Sequence, residues 1–351
     1  MRGFISRSDI DGTAAFDIPE YPGAAEYLIL ANEYTLSLPD DALAETMHVY
    51  PLADGSFLIA YRCEGSDRLW MRVISEKGKK LFAKSVPELF LSQITLTDSG
   101  FICDTFEDSE ICSGTRYTYT CKGYKWKSTK IRYVDDPDRF YSENTANFTL
   151  RRYPFGENSV IPMEIEHRAT GALARHLMTY GSAVNLCEFE DFDNRDHLVV
   201  HAEDENGVMA VRMYDASGQL VGSVAAPMTA PVGSAWGFRN AIWFYTGSGA
   251  SWQRWRLDAQ TFTFSDPLDL TFPEDCTLTV LCGESSGDHL VLLDASYACA
   301  LCRVTSYGSV QLVRRLEGDV IWAMHVDGGL LLLQQLEDGE FVLQRYDLSN
   351  G

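Results

Sequence analysis

A unit said several times over constrains this chain more than any other feature. The stretch RMYDASGQLVGSV, residues 212–224, is a strand-like run, a turn of Asp215-Ala216-Ser217-Gly218 and a second strand-like run. Relatives of it stand at 72–86 (RVISEKGKKLFAKSV), 165–178 (IEHRATGALARHLM), 254–268 (RWRLDAQTFTFSDPL) and 303–316 (RVTSYGSVQLVRRL), with a weaker copy around Cys121-Lys122-Gly123. With Gly78, Gly123, Gly171, Gly218, Gln260, Gly308 and Asn350 as turn markers, the intervals are 45, 48, 47, 42, 48 and 42 residues. A second marker precedes each of these and introduces an apolar run: Gly55, Gly100, Asn147, Asp196, Asn240, Gly287-Asp288 and Gly328. Two markers sharing one period define seven copies.

Each copy is enriched in β-branched and aromatic residues, carries Gly, Asn or Asp at its turns, and has no long stretch of 3.6-residue periodicity, so it reads as all-β with four strands. Units of this length and content are propeller blades, which leave only short protected edges. The near-continuous apolar second strands, such as SFLIAY and HLVLLDA, fit strands buried on both faces. The last copy lacks a fourth strand, while a surplus strand, EYLILANEYTLSL at 26–38, precedes the first. Joining the two seals an edge that would otherwise invite aggregation. The expectation is therefore an all-β, seven-bladed β-propeller of four-stranded antiparallel blades. Residues 1–25 are an N-terminal arm, 26–351 one propeller domain, and the last blade is closed by the N-terminal strand. A repeat architecture escapes the limit of about 250–300 residues on a single core.

The Asp215-Ala216-Ser217-Gly218 and Arg168-Ala169-Thr170-Gly171 turns resemble the repeats of quinoprotein-like (PQQ-type) propellers and, more loosely, the WD40-like superfamily. The blade pattern carries the resemblance along most of the chain. The Gly-His and Trp-Asp dipeptides of WD40 repeats are absent, no docking Trp follows these turns, and a kelch-type Gly-Gly occurs only at Gly328-Gly329. The resemblance implies a scaffold, and a quinone cofactor is not carried over.

Hydrophobic content of 46% and aromatic content of 12% are those of a folded chain, and no apolar run approaches the roughly 20 residues of a membrane span. The opening residues lack the apolar core of a secretion signal. The chain as given reads as cytoplasmic, or as secreted or envelope-associated once such a signal has been removed. Nine cysteines, an odd number inside mostly apolar runs, read as buried free thiols. The net charge of −21 argues against nucleic acid and anionic membranes and permits cationic partners. A monomer is expected.

Several constellations invite chemistry. His197 and His201 in HLVVH, four apart, lie about 13 Å apart on a strand, too far to share a metal. Cys299 and Cys302 in CALC point to opposite faces of a strand. The acidic run CEFEDFDNRD places Asp191, Asp193 and Asp196 at a turn that partly matches a calcium loop, but Arg195 stands where a ligand belongs and the required Gly is missing. No cofactor is expected, with Ca²⁺ the alternative at Asp191 and Asp193. Glu188 and Glu190 share one face of a predicted first strand, and facing a central channel they would form a carboxylate pair able to bind a cation or act as a general acid. Trp252 follows TGSGAS in a turn, where an exposed indole could stack on a sugar or a cation.

Charge is the last clue. Turns joining second and third strands read EGSD, EDSE, GEN, EDEN, GSGA, DAS and EDGE, and the connections between blades add Asp40, Asp41, Asp135, Asp136, Asp138, Glu274, Asp275, Glu317 and Asp319. Turns joining third and fourth strands of the first two blades hold Lys77, Lys79, Lys80, Lys122, Lys125, Lys127 and Lys130. The leading expectation is a scaffold that recognises a cationic protein, peptide or small ligand on an acidic propeller face. The alternative is a carbohydrate-active hydrolase or lyase, with Glu188 and Glu190 at the channel mouth and Trp252 stacking.

Overall fold

Seven antiparallel sheets follow one another along the chain in the computed structural model. It describes residues 18–87, 91–106, 113–132, 141–152, 160–179, 185–190, 196–203, 208–229, 232–272, 276–283, 287–295, 298–326 and 328–349. Blade one comprises His48–Pro51, Phe57–Arg62, Arg68–Ile74 and Lys80–Pro87. Blade two comprises Leu91–Thr97, Gly100–Phe106, Ser113–Thr120 and Lys125–Arg132. Blade three follows with Tyr141–Asn144, Phe148–Arg152, Val160–His167 and Ala172–Thr179. Asn185–Glu190, Asp196–Glu203, Met209–Asp215 and Leu220–Ala225 make blade four. Blade six is Cys276–Gly283, His289–Ala295, Ala298–Val304 and Val310–Leu316. The fold is that of a seven-bladed β-propeller.

Blade seven tests the closure argument. Asp319–Val326, Gly329–Gln335 and Phe341–Leu348 form its first three strands, and Leu28–Leu36 supplies the fourth. That strand pairs antiparallel with Phe341–Leu348 from Leu28↔Leu348 to Leu36↔Phe341, with one irregularity between Leu30 and Asn32. A single helical turn, Ala24–Tyr27, precedes it. Residues 18–23, within the expected arm, run along blade six: Tyr21 N–H donates to Leu312 O at 2.8 Å and Leu312 N–H donates to Pro19 O at 2.8 Å.

Blade five departs from four strands. Val232–Phe238, Ala241–Ser248 and Ser251–Asp258 are regular, but the fourth strand is broken into Thr263–Phe264 and Leu268–Thr271, both paired with the third. The first piece pairs with Leu257 and Asp258, the second with residues 251–254. Ser265, Asp266 and Pro267 fall between them, and Pro267 has no N–H to give a ladder.

The markers work as turn chemistry predicts. Gly78, Gly123, Gly171, Gly218 and Gly308 all have φ between 68° and 85°, a backbone state open to glycine without steric cost. In blade five the same state is taken two residues after Gln260, by Phe262 at φ 53°. Second strands are buried on both faces, as in Phe57–Tyr61 and Leu330–Leu333. The core forms between neighbouring blades: Leu58, Met71 and Val73 of blade one pack with Phe101, Cys103 and Tyr119 of blade two. Residues 39–188 with 193–226 form one compact unit, and residues 1–38, 189–192 and 227–351 form another. No helix among the described residues is long and apolar enough to cross a membrane.

Candidate functional site

Glu188, near the end of the first strand of blade four, meets the hairpin turn that joins the first two strands of blade three. Its Oε1 accepts the Thr145 hydroxyl and the backbone N–H groups of Asn147 at 2.7 Å and Phe148 at 3.0 Å, while Oε2 lies 3.4 Å from Asn147 Nδ2. Burial lifts this carboxyl above its ordinary range, against the pull of those donors and of Arg168. A carboxylate so occupied ties one blade to the next. The side chain of Glu190 lies outside the described residues, as do Asp191 and Asp193.

Trp252 is not the exposed ring that its glycine-rich turn predicts. It is 5% exposed, its Nε1–H donates to Gly249 O at 3.0 Å, and it packs in the core with Tyr245 and Leu270. The reason lies on the first strand of the same blade, where a Cβ added at Gly233 would come within 2.7 Å of the indole ring. The missing side chain makes the slot that the ring fills. Of the residues behind the carbohydrate-active reading, then, Glu188 is held by a turn and Trp252 is buried.

The other motifs settle into structure. His197 and His201 are both buried on Asp196–Glu203, opposite Asp215 and Val211. Cys299 and Cys302 face different cores on either side of Ala298–Val304. The eight described cysteines are free thiols, and burial pushes Cys187 and Cys302 up to about 12.

Charge, by contrast, is organised. Every lysine of the chain, Lys77, Lys79, Lys80, Lys84, Lys122, Lys125, Lys127 and Lys130, lies within residues 77–130, and all eight are exposed. The two hairpins that carry them are joined through Phe82, whose ring lies 4.7 Å from Tyr119 and 5.3 Å from Trp126. Residues 113–132 contain six basic side chains and no acid. Lysine on an exposed edge strand is a common guard against pairing with other chains, yet the fourth strands of the other blades carry none. Edge protection alone does not explain the concentration.

At the other end of blade one the sign reverses. Glu64 and Asp67 in the turn before Arg68–Ile74, with Asp40 and Asp41 beside it, are exposed, and Glu64 N–H donates to Asp41 O at 2.8 Å. The seven-residue strand between the acidic turn and Lys77 spans about 23 Å. That exceeds the Debye length of about 8 Å at physiological salt, so the two poles act independently. In blade seven the turn between second and third strands exposes Glu337, Asp338 and Glu340.

No family model matches the chain, and no curated protein does. Among solved structures it is similar to the WD40 domain of Neurospora crassa Pan2, with 10% identity, a TM-score of 0.50, and 95% of this chain and 98% of that one covered. It is also similar to the uncharacterized protein lmo1340 of Listeria monocytogenes EGD-e, with 12% identity, a TM-score of 0.48, and coverage of 76% and 80%. At these identities the likeness to the WD40 domain is one of fold.

Proposed function

We propose that this chain is a recognition scaffold whose acidic hairpin tips take a cationic protein, peptide or small ligand. The observation that carries the reading is a bias of charge within one blade: Asp40, Asp41, Glu64 and Asp67 outnumber Arg62 and Arg68 at one end of a strand, and Lys77, Lys79 and Lys80 outnumber Asp54 and Glu76 at the other. Such a layout orients a charged partner during approach and repels it from the wrong pole, which favours specificity and association rate over raw affinity. The acids and lysines concerned are exposed, so they can be exchanged without disturbing the core.

The test is a titration with an arginine-rich peptide at about 50 and 300 mM salt. Glu64→Gln with Asp67→Asn, and separately Glu337→Gln with Asp338→Asn and Glu340→Gln, should each weaken binding by about fivefold at low salt. Lys77→Gln with Lys79→Gln should leave it unchanged or slightly tighter. Binding that is indifferent to salt, or that both acidic variants retain in full, refutes the proposal.

A further inference from the structure

Blade five contains a cleft of 540 Å³, within the range of about 300–1,000 Å³ typical of small-molecule sites. It opens where the fourth strand is interrupted. Three residues, Ser265 to Pro267, stand against the two-residue stretch Trp255-Arg256 between the paired segments. Ser265 N–H still reaches Arg256 O at 2.9 Å, after which the chain swings out and returns at Leu268 opposite Arg254. Arg254 and Arg256, two apart on the third strand, share one face of it beside this break. Arg239 joins them from the turn between the first two strands.

The three arginines differ in depth. Arg256 is 47% exposed and lies 3.6 Å from Asp258, whose Oδ1 already accepts the N–H groups of Gln260 and Thr261 at 3.0 Å. Arg239 is exposed, its guanidinium 5.1 Å from the Phe238 ring centroid. Arg254 is only 7% exposed. Its guanidinium donates to Ser306 O at 2.8 Å and Gly287 O at 3.2 Å, both neutral carbonyls. The acid beside these anchors, Asp288, is taken by Arg303 at 2.6 Å and by Ser306 N–H at 2.6 Å. Among the described residues no carboxylate pairs with Arg254. Burying a charge is expensive unless an opposite charge or a full set of hydrogen bonds meets it, so a fixed guanidinium in a cleft wall without a counter-ion is a built place for an anion.

The rest of the lining adds shape. Trp243 pairs across the sheet with Arg256 and stands on the same face, and Phe238 and Leu268 complete an apolar side. Among the described residues that line the cleft, the acid is the exposed Asp266 on its lip.

We propose that the blade-five cleft binds a small organic oxyanion, a carboxylate or a phosphate monoester, with its charged head on Arg254 and Arg256 and an apolar, ring-sized body against Trp243, Phe238 and Leu268. Arg239 draws the ligand in from the rim. This binding is separate from the recognition of cations at the hairpin tips.

Calorimetric titration of the full chain with benzoate, phenyl phosphate, inorganic phosphate and neutral benzamide tests the proposal. Benzoate or phenyl phosphate should bind at least about tenfold more tightly than benzamide, and the better of the two identifies the head group. Phenyl phosphate should exceed inorganic phosphate by a similar factor if the apolar wall is used. Arg256→Gln and Arg239→Gln, both at exposed positions, should each weaken the better probe about fivefold, and Asp266→Asn should tighten it. Arg254→Lys keeps the charge but loses the paired donors, and should weaken binding further if the variant melts like the parent. Binding of benzamide as tight as that of both anions, no binding of either anion, or unchanged affinity in both Arg256→Gln and Arg239→Gln overturns the proposal.

Discussion

Removing residues 1–38 is the sharpest test of how blade seven is held together. The deletion takes away the strand Leu28–Leu36 and leaves Phe341–Leu348 as an open edge. Among the described residues it also removes four well-buried side chains, Ile18, Tyr27, Leu28 and Leu36. At about 1.5–3 kcal/mol each, their burial contributes roughly 6–12 kcal/mol, which is the size of the entire net stability of an ordinary domain, about 5–15 kcal/mol. A polar partner goes as well: Gln344 Nε2, which donates to Glu33 Oε2 at 2.6 Å, loses that acceptor. The newly exposed strand carries Phe341, Val342, Leu343 and Tyr346, all buried in the intact chain, and is a template for pairing with other chains. Light scattering after size exclusion should show the truncated chain as soluble aggregate, and adding a peptide of residues 18–38 during refolding should restore the monomer. The milder Leu28→Ala should cost about 2–5 kcal/mol. A truncated chain that remains monomeric and melts within about 2 °C of the parent would refute the closure argument, since that corresponds to 1 kcal/mol or less.

Two further outcomes follow from single positions. Burial, with Arg254 nearby, lowers His289 to about 3, whereas the unfolded chain takes up that proton near pH 6.5. The native state therefore binds fewer protons between these values, and the stability contributed by the neutral ring is present above about pH 6.5 and lost as pH falls towards 3. Melting temperature should drop more steeply from pH 6.5 to 4.5 in the parent than in His289→Gln, and superimposable slopes would count against a buried neutral ring. Gly318 has φ +69°, and a Cβ there would stand 2.1 Å from Gln335 O, whereas Gly328 at φ +71° has nothing within 4 Å. Gly328→Ala should cost about 1–2 kcal/mol from backbone conformation alone, and Gly318→Ala clearly more; equal losses in denaturant titrations would show that the close approach is relieved by a small shift.

The blade count, the closure and the position of most strands were legible because each rests on local chemistry repeated seven times. A turn that needs positive φ announces itself through glycine, and a strand buried on both faces through an unbroken apolar run. What escaped depends on residues far apart in sequence. Trp252 sits after Gly247 and Gly249 in a stretch that reads as flexible, but its burial is decided by Gly233, nineteen positions earlier on another strand. Alternation predicts Glu188 and Glu190 on one side of their strand, yet the donors that occupy Glu188 come from residues 145–148 of the preceding blade. The whole-chain charge of −21 conceals a lysine pole confined to two hairpins.

Arg254 and Arg256 make the same point for the site. Both stand on one strand with one tryptophan between them, and nothing local separates them. Their fates differ because Gly287 and Ser306 of blade six present carbonyls to one guanidinium and not to the other. The repeat thus supplies the platform, and the proposed site lies where one copy breaks the pattern: the strand is interrupted at Ser265 to Pro267, those residues form one wall of the cleft, and the neighbouring blade fixes one cation at its base while leaving the other at its mouth. A variant that restored a regular fourth strand, with Pro267→Val and one of Ser265 or Asp266 deleted, would withdraw residues 265–267 from the cleft wall and should weaken anion binding while preserving the fold.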